Sequence, residues 1–160
     1  DLLPNRVGGA ALQKNLETLG DIQYTQEEID FALELQRNNG KPELGIDGKI
    51  RPLRETLNSP GGGSTDSGDV SYNVPVVSLA ATTAPKGVPW HSWSVVASSG
   101  MSIGHKGMLH AAKALGMTMV DIFKDSKLRE NIKKEFDEKI GEYEYDPYLD
   151  PGPPPIDYVD

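Results

Sequence analysis

Four stretches of this chain space their apolar side chains as helices do, and one carries the unbroken apolar run of a buried strand. Leu12, Leu16 and Leu19 recur at helical intervals over residues 7–19, with Asn5 placed to cap and Gly20 placed to stop the helix. Gly8-Gly9 weakens its first turn. Thr25-Gln26-Glu27-Glu28 spells a capping box, in which hydroxyl and carboxylate each satisfy an orphan amide. The helix behind it sets Ile29, Ala32, Leu33, Leu35 and Gln36 on one face and ends at Asn39-Gly40. Residues 103–123 form the longest periodic segment, with Met108, Ala111 or Ala112, Leu115, Met119 and Ile122 as its apolar stripe. A last helix, capped by Asp125 or Ser126, aligns Leu128, Ile132, Phe136 and Ile140 opposite lysines and closes at Gly141. Residues 74–82 (VPVVSLAAT) are the best strand, apolar enough to be covered on both faces.

The intervening segments lack periodicity. Residues 41–60, with prolines at 42, 52 and 60, predict a long surface loop with at most a short strand near 49–53. The tail from Glu142 is acidic, aromatic and too rich in proline for a helix or central strand. It either wraps the domain through Tyr143, Tyr145 and Tyr148 or extends as polyproline-like coil. The opening Asp1-Leu2-Leu3-Pro4-Asn5 reads as the end of a strand entering a helix, as in a fragment of a longer chain. The expected organisation is a domain over residues 1–141 and a tail over 142–160.

Composition removes several functions. A length of 160 residues suits one domain with a core. A net charge of −8 without a basic stripe argues against a nucleic-acid partner. The lack of cysteine excludes disulfides and thiolate metal sites. No apolar run approaches the roughly 20 residues of a membrane span, so a cytoplasmic protein is expected.

The chemistry centres on residues 61–108. A glycine-rich turn bearing Asp66 and Asp69 leads into the apolar run, then a loop ending in Trp90-His91-Ser92-Trp93, then the long helix. Connections of this kind hold the chemistry of open α/β sheets. Neutral imidazole is the commonest zinc ligand, and a cysteine-free protein builds metal sites from His, Asp and Glu. His91 is either such a ligand or a satisfied loop histidine. Asp66 and Asp69 either cap a helix or orient a ligand histidine. His105 and His110 differ by about 140° of helical rotation and cannot share one site. His105, in the helix's first turn beside Gly104 and Gly107, either faces an anionic ligand or marks a place of tight helix packing.

In order, DLLPN, GGSTDSGDVSYNVP, the Ala-Thr-rich run, PWHSW and SIGHKGMLHAAKAL resemble the carboxyl-terminal third of the aminoacylase/glutamate-carboxypeptidase family of co-catalytic metallopeptidases. The likeness is greatest to its p-aminobenzoyl-glutamate hydrolase branch. It runs from Asp1 to about Ile140 and is weakest over 41–60.

The resemblance implies an α/β fold. This chain would be a partial catalytic domain of the di-zinc exopeptidase type, with mostly parallel strands flanked by helices and the lid domain absent. It implies two divalent ions, zinc with manganese or cobalt as substitutes, one of them bound by His91. Asp69, Asp66 and His105 would stand behind the metals or face the substrate. The implied reaction is hydrolysis of an amide bond in an N-acyl amino acid, of p-aminobenzoyl-glutamate type, or in a dipeptide. The implied assembly is a dimer or hetero-oligomer. No catalytic residue of that family occurs in this chain. Its other ligands and its general base belong to a missing amino-terminal part, without which one imidazole cannot hold a catalytic zinc. The competing reading is an inactive stand-alone remnant used in binding or assembly. A His91 ring facing solvent, or wedged in hydrocarbon away from any acidic cleft, would sink the hydrolase reading.

Overall fold

A computed structural model describes residues 2–54, 65–147 and 152–153. Among them are six helices: α1 (Arg6–Leu19), α2 (Gln26–Asn38), α3 (Ser67–Ser71), α4 (Trp93–Ser99), α5 (Ser102–Lys124) and α6 (Ser126–Ile140). α1 packs against α5 and α6, which also touch each other, and α4 packs against α5.

The termini of these helices follow local chemistry. Asn5 Oδ1 accepts from the Gly8 amide, and its amide nitrogen donates across to the Ile132 carbonyl of α6 at 2.9 Å. Thr25 and Glu28 form both halves of the capping box. Asp125 caps α6 through the Leu128 amide. The carboxylate of Glu135, on α6, takes the Arg6 and Val7 amides at 2.8 and 2.7 Å, so one helix satisfies the open donors of another. Gly8 lets α1 approach the apolar run closely. A Cβ there would lie 2.4 Å from Val77 Cγ2.

The expected α/β architecture is overturned. No strand occurs among the described residues, and residues 74–82 contribute one isolated parallel bridge, Pro4↔Val76. A helix satisfies its backbone within itself, whereas a strand exists only where a neighbour pairs with it. Pro4 has no N–H to donate, and the chain turns into α1 two residues later. The run is half-buried rather than covered on both faces, with Ser78 and Ala80 exposed. The short strand near 49–53 is absent as well, and residues 41–54 are irregular. Residues 55–60 of that loop lie outside the described residues, as does Tyr148 of the tail. Its neighbour Tyr143 packs on Tyr72 just beyond α3, with ring centroids 5.1 Å apart.

The long helix also presents the opposite face from the one its large side chains suggested. α5 buries Ile103, Gly104, Gly107, Ala114 and Thr118. Met108, Leu115 and Met119 are exposed. Small residues let this helix approach its neighbours closely: a Cβ on Gly104 would meet the Ser99 carbonyl oxygen at 2.2 Å, and one on Gly107 that of Thr82 at 2.2 Å. The contact with α1 is polar at its centre, where buried Asn15 donates to Thr118 Oγ1 at 3.0 Å and to Asp121 at 2.8 Å.

Candidate functional site

The chain enters α4 through the turn that carries His91. Ser92 Oγ donates to the Pro89 carbonyl at 2.6 Å and bends this turn, while His91 adopts φ 59°. It is the one non-glycine residue with positive φ among those described, in a conformation that costs roughly 1–2 kcal/mol for an L residue. Such strain persists only where the surroundings impose it, and it clusters at functional sites. The apolar run was expected to lead into a loop here. The loop is instead closed at once by α4, which turns Ser94 and Ser98 to its buried side.

The knuckle faces outward. His91 is exposed, as are both flanking indoles, Trp90 at 70% and Trp93 at 56%. A ring that faces solvent meets the condition set for dropping the hydrolase, so His91 in this chain taken alone does not carry that reading. The remaining candidates do not gather around His91. Among the described residues no three His, Asp or Glu side chains come together to hold a metal ion. One exposed imidazole does not amount to a centre that needs about three protein ligands.

Asp66 and Asp69 flank the start of α3 and belong to the tail's environment. Asp66 makes no side-chain cap, and its carbonyl accepts from the Asp69 and Val70 amides. Asp69 stands close enough to Tyr145 of the tail to act on its hydroxyl. Burial, then the charge and hydrogen bond of Asp69, hold that phenol above its usual range.

His105 is exposed one turn into α5, and the anion beside that turn comes from the chain itself. Glu28, on α2, receives Lys106 Nζ at 2.6 Å, and the same ammonium reaches the Gln23 carbonyl and sits 5.6 Å from the Tyr24 ring centroid. Burial alone would raise the Glu28 carboxyl, but hydrogen bonds from Lys106, Ser102 and the Thr25 amide bring it down to about 2. Burial, helped by the charges of Glu28 and Asp47, pushes the Tyr24 phenol up to about 12. Gly104 and Gly107 serve close packing.

His110, which helical rotation separates from His105, lines the main concavity among the described residues. This groove of about 1040 Å³ lies between α1, residues 47–54 and residues 76–88. Leu12, Leu53, Leu79 and Val88 form apolar walls, with Thr82 and Thr83 as polar groups. Its signal in the sequence was the rotation that separates His110 from His105.

Comparison with known proteins supplies what the geometry does not. No family model and no solved structure matches the chain. A curated hydrolase subunit does, with 33% identity over 157 aligned residues covering 83% of this chain. That relative is one of the subunits of p-aminobenzoyl-glutamate hydrolase from Escherichia coli (strain K12), and the chain belongs to its family. The chain spans about a third of the relative's length (33%). Among the described residues no helix is long and apolar enough to cross a membrane.

Proposed function

We propose that this chain is one portion of a hydrolase subunit that cleaves the amide bond of a p-aminobenzoyl-glutamate-like N-acyl amino acid or a dipeptide. The similarity to a p-aminobenzoyl-glutamate hydrolase subunit carries the reading. The strained backbone of His91 adds to it, because a histidine held at φ 59° between two exposed indoles stands where glycine would fold more cheaply. In the complete enzyme His91 contributes one ligand to a divalent ion of a pair, most simply zinc, and the other ligands and general base come from polypeptide outside this chain. Asp66, Asp69 and His105 act at one remove, behind the metals or against the substrate. The portion functions as part of an oligomeric cytoplasmic enzyme.

The test is reconstitution. A chimera joining this chain to the part of the E. coli relative that it does not match is assayed for release of p-aminobenzoate, with and without His91→Ala. Hydrolysis that depends on added zinc and vanishes in the variant is expected. A folded chimera without activity, or activity indifferent to His91, sinks the reading. Isothermal titration of this chain alone with zinc should show no tight site.

A second reading, an inactive binding or assembly module, draws on the exposed aromatic and aliphatic side chains of α4 and α5. It predicts a folded chimera that assembles and never hydrolyses.

A further inference from the structure

We infer that the outward face of α5 is a docking surface for the rest of a longer hydrolase polypeptide. This rests on the reading that the chain is a portion of such an enzyme.

Six large apolar side chains stand exposed on that helix: Met108, Leu109, Leu115, Met119, Val120 and Phe123. At about 100° per residue they sweep an arc of roughly 140°. The other helical positions inside the arc are His105, Ala112 and Gly116, with Ser102 at its edge, so the face carries no carboxylate, ammonium or guanidinium. Phe123 is 76% exposed and Met119 57%. The arc runs along most of a 23-residue helix. Scattered apolar side chains are ordinary on a monomer, but a contiguous uncharged strip of this extent marks an interaction surface. The adjoining helix adds exposed Trp93 and Val96.

The opposite face of α5 is already committed, to α1 and to the Thr82 region through Gly107. The chain therefore has nothing of its own left to cover the strip among the described residues. The matched relative is about three times as long as the region aligned to this chain, so a polypeptide large enough to cover it exists in the family. A second place is left open in the same way. The amides of Leu79, Ala80 and Ala81 make no backbone hydrogen bond to another described residue. An uncharged, aromatic-rimmed strip selects an apolar face of the incoming polypeptide. A second copy of this chain is the less favoured occupant, since each copy brings a net charge of −8 to the encounter.

All four methionines lie on α5 or at its cap, which makes oxidation a native reporter. Met108 and Met119 face outward and Met117 is half-buried. Hydrogen peroxide footprinting by mass spectrometry is run on this chain and on the same chimera. Met108 and Met119 are expected to oxidise at least about tenfold more slowly in the chimera, while Met117 changes less. In the chimera, Leu115→Asp with Met119→Asp should lower the melting temperature. The same pair in the chain alone should lower melting less, by no more than the helix-propensity and like-charge cost of two aspartates four residues apart. Should the chimera fail to fold, the unmatched part of the relative is added to this chain in trans and the same footprint read. Equal oxidation rates in both settings overturn the inference. So does protection in the chain alone that grows with its concentration, which would make a second copy the occupant. Protection without hydrolysis overturns the proposed activity and leaves the docking face standing, and hydrolysis without protection does the reverse.

Discussion

Lys106 on α5 places its Nζ 2.6 Å from Glu28 Oε2 on α2, although 78 residues separate the two in sequence. The same carboxylate receives the Thr25 amide at 2.7 Å, so one side chain both caps its own helix and ties it to another. A buried carboxylate with this many donors is worth more than a surface ion pair, because removing one partner leaves the other unsatisfied.

Acid should therefore loosen the fold. The Glu28 carboxyl titrates at about 2 in the folded chain against an ordinary 4.5. A depressed carboxyl contributes its full stabilisation above its unfolded value and loses it as pH falls through the folded one. Urea midpoints should drop between about pH 4.5 and 2. Glu135, lowered by Lys139 and the α1 amides against the opposing effect of burial, adds in the same direction. Glu28→Gln should cost about 1–3 kcal/mol at pH 7 and converge on the parent near pH 2. A variant whose deficit is the same at both pH values would show that the charge is not what holds α2.

A second outcome concerns His91. Glycine accepts φ 59° without the steric conflict an imidazole side chain brings, at the cost of greater freedom in the unfolded chain. His91→Gly should thus leave stability unchanged or raise it by up to about 1 kcal/mol, whereas His91→Ala should not raise it. Thermal melts of the two variants decide. A clear loss in His91→Gly would mean that the ring makes contacts that stabilise the fold.

What could be read from the sequence was what depends on near neighbours. Asn5, Thr25 with Glu28, and Asp125 cap the helices they were expected to cap, because each bond spans only three residues. The apolar run at 74–82 failed as a strand because pairing is a property of the partner, and among the described residues only Pro4 bridges to it. The stripe on α5 was misread for a different reason. Bulk suggested that Met108, Leu115 and Met119 point inward, but glycine and alanine allow the closer approach and so won the buried side. α4 is too short for a periodic signal, and the knuckle before it looked like the end of a loop. The family was legible in the order of its motifs. The surroundings of His91 were not, since they depend on where the chain beyond each motif goes.

The α1–α5 contact offers a third test. Asn15 is 6% exposed and spends its amide nitrogen on Thr118 and Asp121. Asn15→Leu keeps the size of the side chain and strands both acceptors beside an apolar surface. The expected loss is about 1–3 kcal/mol, read by urea denaturation. Thr118→Val in the same background should recover part of it, because one unsatisfied acceptor disappears with the hydroxyl. A double variant no better than Asn15→Leu alone would place the penalty in packing instead of in hydrogen bonding.

Two glycines of α5 should respond in opposite ways to the same added methyl. At Gly107 the Cβ would sit 2.2 Å from the Thr82 carbonyl oxygen and 3.0 Å from its carbonyl carbon, backbone atoms that cannot swing aside as a side chain can. Gly107→Ala should cost about 1–3 kcal/mol, the usual penalty of overpacking. At Gly116 no atom lies within 4 Å of the new carbon. There the change only restrains the unfolded chain and favours the helix, and Gly116→Ala should gain about 0.5–1 kcal/mol. Both sit inside the same helix, so helix propensity alone predicts a gain at each. Opposite signs in paired urea titrations would therefore isolate the close approach of α5 to residues 82–83. A gain at Gly107 would mean that α5 does not rest on that segment, and the exposed side of the helix would have to be assigned afresh.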